Sequence, residues 1–401
     1  MVSNDEKRII GLLIGHYRRK KHISRNELLS TSNDSLCSPK TLIRIENGHI
    51  PKRNQFYISL CQSLDVSYPF EEKLLYKLNN YRQKLVHAIL EGSKGNMEIL
   101  LEKIDEDFTH HILYVSERAW LYQSILTLLL YDQVPSQEKM DVFYCLKDVL
   151  LEEDRKLLFF LFMHPKIRKN ADKSLIHESL VYEHEPLFFD FHLSHIISVS
   201  SLLYSHHQLQ KILNKKEELT DLQKILLFRR IAEIEASGND IVLAYKTMKN
   251  CLYLLHRDIC DPLRASIYID CALFAYQSND TDACIHYLFE VVSINLSLLK
   301  EAWLLLLHVL EKSNQKELLM HYLFDMNLTD EQDERGKAVL SYFRLKYDTM
   351  DTHDADREKY ICQKLKVLGE HKVYKKILLE ELMGIVAVTS HYKFIYRFMT
   401  K

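Results

Sequence analysis

The chain has 401 residues, carries a formal net charge of −2 at pH 7, and contains only 9 glycines and 7 prolines. Folds built from β-strands need a turn about every 8–12 residues and draw on glycine and proline for it, so this composition argues against a β-sandwich, a β-barrel and a glycine-rich nucleotide-binding fold. It predicts an all-α protein of many helices, which at this length forms two domains or a helical solenoid rather than one core.

The first two helices of the chain are indicated by an apolar face and by a capping motif. Ile9, Leu13 and Tyr17 recur at i, i+4 and i+8, which places them on one side of a helix. Ser24 stands three residues before Glu27. This pairing is typical of a capping box, in which the serine caps the helix and the glutamate bonds back to the serine. We therefore predict that a second helix opens at Ser24.

A third helix has signals at both of its ends. Ser38 followed by Pro39 indicates an N-cap with proline in the first turn, and Asn47 followed by Gly48 is a C-terminal stop of the left-handed kind. A fourth helix is predicted roughly over residues 54–64. The predicted inward-facing side chains of these two helices are Leu42, Ile45, Tyr57, Leu60, Cys61 and Leu64.

A basic run, Arg-Arg-Lys-Lys at 18–21, precedes Ile-Ser-Arg-Asn-Glu-Leu at 23–28. Residues 38–48 match Ser-x-x-Thr-Ile-x-Arg-Ile-Glu-x-Gly with Leu42 in place of Ile, and residues 60–66 match Leu-Ala-x-x-Leu-Gly-Val with Cys61 and Asp65 in place of Ala and Gly. In these features residues 9–66 resemble a helix-turn-helix of the Xre or repressor type. The resemblance implies a DNA-binding domain whose third helix lies in the major groove.

The distribution of charge fits a polyanionic partner for this segment. Residues 1–70 carry 11 Lys and Arg against 6 Asp and Glu, whereas the remainder carries 42 against 49. Lys40 and Arg44 lie one helical turn apart and can donate to guanine. Thr41 and Ile43 can contact a thymine methyl group or pack inward. Basic residues nearby are expected to contact phosphates. The predicted DNA-binding residues are Arg25, Ser38, Lys40, Thr41, Arg44, Lys52 and Arg53.

The rest of the chain is predicted to be helical, with one break near its start. The apolar spacing of residues 71–90 predicts a connecting helix. The Gly/Ser-rich stretch 91–96 indicates a domain boundary. We therefore predict three parts. These are a helix-turn-helix DNA-binding domain over 1–70, a connecting helix and linker over 71–95, and a tetratricopeptide-like helical repeat domain over 96–401.

A weak internal repeat runs through residues 220–330. Three polar loops, at 237–240, 278–280 and 313–315, are each followed by a helix. Corresponding residues after these loops are 39 and then 34 positions apart, and a helix–loop–helix unit of about 34 residues is the tetratricopeptide period. The repeat therefore predicts paired helices stacked into an α-solenoid.

A repressor-type head on a tetratricopeptide-like body resembles the peptide-responsive regulators grouped as Rgg, NprR, PlcR and PrgX. The resemblance implies a transcriptional regulator whose repeat domain binds a short signalling peptide on its concave face and thereby alters DNA binding. It also implies a homodimer. The alternative is a protein-interaction module of the Rap or phage arbitrium-receptor type, whose repeat domain binds a partner protein.

Four side chains are predicted to contact the peptide, because counting back along the repeat places them on the concave side. An arginine can bind a peptide carboxylate through two hydrogen bonds, and a glutamate can accept from a peptide amine. Tyrosines offer flat apolar area with a polar tip. The arginine and glutamate, four residues apart, can instead pair with each other on a solvated face. The predicted peptide-binding residues are Arg229, Glu233, Tyr268 and Tyr276.

The predicted dimer interface lies in the last helices, roughly over residues 356–400. Two apolar runs, at 377–379 and 384–388, have no following repeat to cover them. Two copies of the head would then contact two half-sites on duplex DNA, as helix-turn-helix dimers do.

Other chemistries are not indicated by the sequence. His192 and His195 form an i, i+3 pair without a third ligand at a recognisable spacing, so no metal is expected. The glycine motifs of nucleotide sites and of the nucleophile elbow are missing from the sequence, so we expect no cofactor and no enzymatic activity. The N-terminus does not resemble a signal peptide, the eight cysteines form no Cys-x-x-Cys pair, and the apolar runs are short. We therefore expect a cytoplasmic protein with no membrane contact.

Overall fold

The computed structural model describes residues 3–30, 37–51, 55–69, 72–168, 178, 180–182, 185–215, 219–325, 334–347 and 354–399. The structure is 82% helical. Within the described ranges, extended pairing is limited to two isolated bridges, Ser67 with Ile112 and Ser93 with Ile259. The prediction of an all-α protein is therefore confirmed. None of the helices in these ranges has the length and apolarity that crossing a membrane requires.

The chain divides into two compact units. Unit 1 comprises the residues up to Ser198 together with Thr220–Gln223 and Arg257–Cys260. The helices in this part of the chain are α1 (Asn4–Lys20), α2 (Arg25–Ser30), α3 (Pro39–Glu46), α4 (Gln55–Ser63), α5 (Glu72–Glu91), α6 (Lys94–Asp107), α7 (Val115–Tyr131), α8 (Gln137–Leu146), α9 (Glu152–Met163), α10 (Pro165–Arg168) and α11 (Phe189–Val199).

Unit 2 comprises Val199–Leu219, Lys224–His256 and Asp261–Lys401. The helices in this part of the chain are α12 (Leu202–Leu213), α13 (Asp221–Ser237), α14 (Ile241–Leu254), α15 (Asp261–Gln277), α16 (Thr281–Ile294), α17 (Trp303–Lys312), α18 (Lys316–Met320), α19 (Glu334–Tyr347), α20 (Asp354–Tyr360), α21 (Lys372–Thr389) and α22 (Lys393–Met399). The division of the sequence at residues 70 and 95 remains a prediction.

The helix ends of the first segment follow the predicted signals. Ser24 donates its N–H to Glu27 Oε2 over 2.6 Å and its Oγ accepts from the Glu27 N–H over 3.2 Å, which is the predicted capping box. Ser38 caps α3, and Gly48 follows that helix with a φ of +79°. The six side chains predicted to face inward are all buried. Local sequence signals therefore place α2 and α3 correctly.

Two glycines let α1 and α3 pack at short distance. A Cβ added at Gly11 would clash with the carbonyl oxygen of Ile45, and one added at Gly15 would lie 3.1 Å from the Glu46 Cβ. The two glycines are four residues apart, so they lie on the same face of α1. The backbone of α3 therefore rests directly on the backbone of α1.

A buried carboxylate joins α1 to α7 within unit 1. Tyr17 on α1 donates its hydroxyl to Glu117 Oε1 over 2.6 Å, and His111 Nε2 lies 2.8 Å from the same oxygen. Glu117 is fully buried. Burial and the Glu117 carboxylate raise the pKa of Tyr17 well above its usual range. Ser67 adds a backbone bridge, because its N–H donates to the His111 carbonyl and its carbonyl accepts from Leu113. Helices α1–α4 are thus fixed to the rest of unit 1.

A second buried ion pair joins α7 to α9 and α5. Arg118 Nε lies 2.9 Å from Asp154 Oδ2, and both side chains are almost completely buried. Tyr122 donates its hydroxyl to Asp154 Oδ1 over 2.5 Å, and Arg118 donates to Asn79 Oδ1 over 2.7 Å. Buried charges are tolerated when they are paired and hydrogen-bonded. Arg118 and Asp154 pair with each other, and Asn79 and Tyr122 supply hydrogen bonds to them.

Unit 2 contains three successive helix pairs joined by short polar loops. The pairs are α13 with α14, α15 with α16, and α17 with α18. Each loop holds one asparagine with positive φ, namely Asn239, Asn279 and Asn314. Asp240 and Asp280 then cap the second helix of the first two pairs. The loops lie where the sequence repeat predicts them.

We expect Gly11→Ala to destabilise the protein, although alanine is the better helix former. The added methyl group must displace the Ile45 carbonyl, and overpacking of this kind costs about 1–3 kcal/mol. Chemical denaturation followed by circular dichroism measures the difference. The matched control is Gly238→Ala, because the nearest atom to an added Cβ there is the Glu235 carbonyl oxygen at 3.4 Å, an ordinary van der Waals distance. That control is expected to change the stability by less than about 1 kcal/mol. Equal effects of the two substitutions would contradict the close packing of α1 on α3.

Candidate functional site

The outward face of α3 combines two basic side chains with one apolar side chain. Lys40 and Arg44 are exposed, and Ile43 is 39% exposed. Among the described residues, neither basic side chain has an ion pair or a hydrogen bond. The opposite face of α3 is buried through Leu42 and Ile45. The helix therefore presents two available cations beside a methyl-rich surface.

The other predicted residues on or near α3 fall into two groups. Ser38 Oγ accepts from the Thr41 N–H over 3.2 Å and lies 3.0 Å from Thr41 Oγ1, so both side chains take part in the helix cap. Ser38 remains exposed and Thr41 is partly exposed. Lys52 and Arg53 lie outside the described residues.

Glu46 is the carboxylate that anchors α3. Its Oε1 accepts from Arg18 Nε over 2.5 Å, and its Oε2 accepts from Arg25 Nε over 2.8 Å. Arg18 also donates to the Ile23 carbonyl over 2.8 Å. Burial raises the pKa of Glu46, but the hydrogen bonds from the two arginines outweigh burial and hold the pKa below its usual range. The ionised carboxylate therefore joins α1, α2 and α3.

Arg25 was predicted to contact phosphate, and its position is compatible with a second partner. Its side chain is 41% exposed while its Nε remains paired with Glu46. An arginine has five N–H donors, so one guanidinium can bond the carboxylate and also face solvent. The predicted phosphate contact remains a prediction.

A separate cleft of about 480 Å³ lies in unit 2. It is formed by α13, α14, α15 and the residues at the start of α21. Its apolar lining is Met248, Leu273, Phe274 and Val373. Its charged or titratable lining is Arg229, Glu233, Asp270, Glu370, His371 and Lys372. Apolar walls with a few converging polar groups are typical of a ligand site.

An arginine–carboxylate pair lies within this cleft. Arg229 Nε is 2.6 Å from Asp270 Oδ2, and each side chain is about one quarter exposed. Burial raises the pKa of Asp270, while Arg229 opposes that shift. Glu233 accepts from its helix neighbour Arg230 over 2.9 Å. Arg229 therefore pairs across helices with Asp270, whereas the sequence left open a pairing with Glu233.

The four predicted peptide-binding residues do not all line this cleft. Arg229 and Glu233 line the cleft, but Tyr268 and Tyr276 do not appear in its lining. The Tyr268 ring stacks against Tyr287 with centroids 6.4 Å apart. The Tyr276 hydroxyl lies 3.1 Å from His308 Nε2. The assignment of these four residues to a peptide remains a prediction. Arg229 and Glu233 share the cleft with Asp270, His371 and Lys372, for which the sequence carries no spacing signal.

A histidine and two glutamates come together elsewhere in unit 2. His308, Glu311 and Glu381 offer ligand atoms within 4.8 Å of one another. Lys346 Nζ lies 2.7 Å from Glu311 Oε2 and 2.9 Å from both oxygens of Glu381. Burial and the nearby Lys312 lower the pKa of His308 to about 4. The lysine ammonium already supplies the positive charge that these carboxylates need, so the cluster fits an ion network better than a metal site.

Comparisons with known proteins find no relative of this chain. No protein-family model matches it, and neither the curated proteins nor the solved structures give a significant match. Its function is therefore inferred from the residues and geometry described above.

We expect Glu46→Gln to lower the free energy of unfolding by about 3 kcal/mol at neutral pH. The substitution leaves the buried Arg18 without a counter-charge, and breaking a buried pair in this way is costly. Because the pKa of Glu46 is depressed in the folded state, its contribution is present above the ordinary value of 4.5 and is lost as the pH falls through the folded pKa. The difference between wild type and variant should therefore shrink in acid.

Denaturation curves over a range of pH measure this effect. The control is Glu98→Gln, which removes a carboxylate that pairs with Lys94 over 3.8 Å on an exposed surface. Such a surface pair contributes about 0–1 kcal/mol. A Glu46→Gln variant as stable as this control would show that the Glu46 cluster does not hold α3.

Proposed function

We propose that this protein is a DNA-binding transcriptional regulator of the helix-turn-helix type, and that unit 2 senses a short peptide. The outward face of α3 carries the proposal. Lys40, Ile43 and Arg44 are exposed on that face. Glu46, the last residue of α3, holds the helix to Arg18 and Arg25. A recognition element needs side chains that reach outward from a backbone that cannot tilt, and α3 has both properties.

Each exposed group on α3 suits a different part of duplex DNA. A helix fits the major groove, where arginine or lysine donates to guanine and an apolar group contacts the thymine methyl. Lys40 and Arg44 supply the donors and Ile43 supplies the apolar contact. Arg25, held next to α3 by Glu46, is proposed to contact a phosphate. We thus assign recognition of the base sequence to Lys40, Ile43 and Arg44, and positioning on the DNA backbone to Arg25.

We expect Lys40→Ala and Arg44→Ala each to weaken sequence-specific DNA binding by about 1–3 kcal/mol, if each side chain contacts a base. The binding sequence is first selected from a pool of randomised duplexes with the full-length chain. Affinities for the selected duplex and for a scrambled duplex are then measured by fluorescence anisotropy at several salt concentrations. Arg25→Ala should weaken both duplexes alike and reduce the salt slope, because a phosphate contact carries no sequence information.

Lys73→Ala is the control, because it removes an exposed lysine of α5 and leaves α3 unchanged. It is expected to leave the specific affinity within a few tenths of a kcal/mol of wild type. If the full-length chain enriches no duplex at low salt, the proposal that it binds DNA is wrong. The alternative, a module whose helical repeats bind a partner protein, is then favoured.

The unit 2 cleft supports the peptide-sensing part of the proposal. Its apolar lining suits peptide side chains, and its charged groups suit the backbone and termini. The cleft also joins early and late parts of unit 2, because α13 and α15 line it together with the residues that begin α21. A bound peptide would therefore contact helices that are more than one hundred residues apart in the chain.

A homodimer is the third part of the proposal, and it depends on the end of unit 2. Of the two predicted apolar runs, 377–379 is mostly core, since Ile377 and Leu378 are fully buried. The run 384–388 instead leaves an exposed strip. The exposed residues on and after α21 are Met383, Gly384, Ala387, Val388, Tyr392, Tyr396 and Met399. We propose that a second copy of the chain covers this strip.

Val388→Asp should shift the protein toward monomer. Val388 is 76% exposed in the last turn of α21, and an interface side chain that becomes buried can contribute roughly 2 kcal/mol or more to association. Light scattering and sedimentation at several concentrations measure the shift. Val242→Asp is the matched control, because Val242 is 75% exposed on α14. A wild-type chain that is monomeric at micromolar concentration with and without DNA, or equal effects of the two variants, would rule out this interface.

A further inference from the structure

The unit 2 cleft contains a cation that is already paired with an internal carboxylate. Arg229 on α13 lies 2.6 Å from Asp270 on α15. Both side chains are part of the cleft lining and about one quarter exposed, so the pair is in reach of a ligand. A carboxylate brought by a ligand would compete with Asp270 for the same guanidinium, because arginine binds carboxylates in a fork geometry.

The residues around this pair carry charges of both signs, and the positive ones offer an anionic group partners besides Arg229. His371 and Lys372 line the same cleft, and they stand at the start of α21, where the positive end of the helix dipole adds to the local potential. The acidic groups that face the pair are Glu233 on α13 and Glu370. Glu233 is held by Arg230 over 2.9 Å, whereas Asp270 pairs directly with Arg229.

We propose that the cleft recognises the free carboxy terminus of a peptide by carboxylate exchange. The terminal carboxylate replaces Asp270 on Arg229, and the displaced Asp270 takes up a proton from solvent. The inference rests on the peptide-sensing function proposed above and specifies which end of the peptide enters the cleft. No bond other than the transferred O–H is made or broken.

The coupling to protons follows from the charges that face Asp270. Burial already raises the pKa of Asp270, and Arg229 is the group that opposes this most strongly. Loss of Arg229 to the ligand carboxylate, itself negatively charged, raises the pKa further. Binding therefore takes up a proton between the free and bound pKa values, and affinity falls by up to about tenfold per pH unit as pH rises through that window. Burial lowers the pKa of His371. The experiment must therefore distinguish proton uptake by Asp270 from proton uptake by His371.

The experiment uses two synthetic libraries of randomised short peptides that differ only in having a free carboxylate or a carboxamide at the C-terminus. Immobilised full-length protein captures peptides, which are identified by mass spectrometry. The best free-acid peptide and its carboxamide are then titrated by calorimetry in two buffers of different ionisation enthalpy. We expect the carboxamide to bind on the order of tenfold to a hundredfold more weakly, as expected for loss of charged hydrogen bonds.

Three variants assign the effect to residues. Arg229→Met should lose affinity for the free acid to the same extent as amidation, and Arg257→Met, which changes an exposed arginine outside the cleft lining, is its matched control. Asp270→Asn should bind the free acid at least as tightly as wild type, without proton uptake and with little dependence on pH. Asp282→Asn, on the exposed surface of α16, should retain the wild-type proton uptake. Thermal melts confirm that each variant is folded.

The possible results distinguish a failure of carboxylate exchange from a failure of peptide sensing. Equal capture of both libraries overturns carboxylate exchange and leaves peptide sensing in place. Proton uptake that persists in Asp270→Asn also overturns the exchange, because it assigns the proton to His371 or Glu370. Weaker binding by Asp270→Asn would mean that Asp270 only orients Arg229. Capture from neither library overturns peptide sensing and the exchange together.

Discussion

The carboxylate of Glu46 is the point at which the first three helices of the chain are joined. A buried carboxylate is unfavourable unless hydrogen bonds and opposite charge replace water, and Arg18 and Arg25 supply both. Because Glu46 is the last residue of α3 and Gly15 allows it to approach α1, the direction of α3 is set by this cluster. The outward direction of Lys40 and Arg44 follows from it.

Buried carboxylates that accept hydrogen bonds from several donors also join other helices in both units. Glu117 joins α1 to α7, and Asp154 joins α7 to α9 and α5. In unit 2, Glu381 accepts from Lys346 and from Tyr342. Apolar side chains pack in many ways at similar cost, whereas a buried carboxylate has few satisfactory arrangements of donors. These pairs therefore contribute more to the choice of one arrangement than to net stability.

The pair in the unit 2 cleft differs from these structural pairs in its exposure. Glu46, Glu117 and Asp154 are all nearly or fully buried, but Arg229 and Asp270 are each about one quarter exposed. A pair that water can reach is also a pair that a ligand can reach. Buried pairs therefore hold α3 in place, and we propose that the partly exposed pair of Arg229 and Asp270 receives the signal.

The sequence by itself determined the elements that depend on neighbouring residues. The scarcity of glycine and proline predicted the all-α class, the pair Ser24 and Glu27 predicted the start of α2, and the polar loops predicted the turns at Asn239, Asn279 and Asn314. These signals act within a few residues, so no tertiary information is needed. Only the tertiary structure decided which groups meet over long separations. Arg229 pairs with Asp270 rather than with Glu233, and Tyr268 and Tyr276 lie outside the cleft lining. Helical periodicity gives the face on which a side chain lies but not the helix that packs against that face, so the sequence could not show that Asp270 is the partner of Arg229.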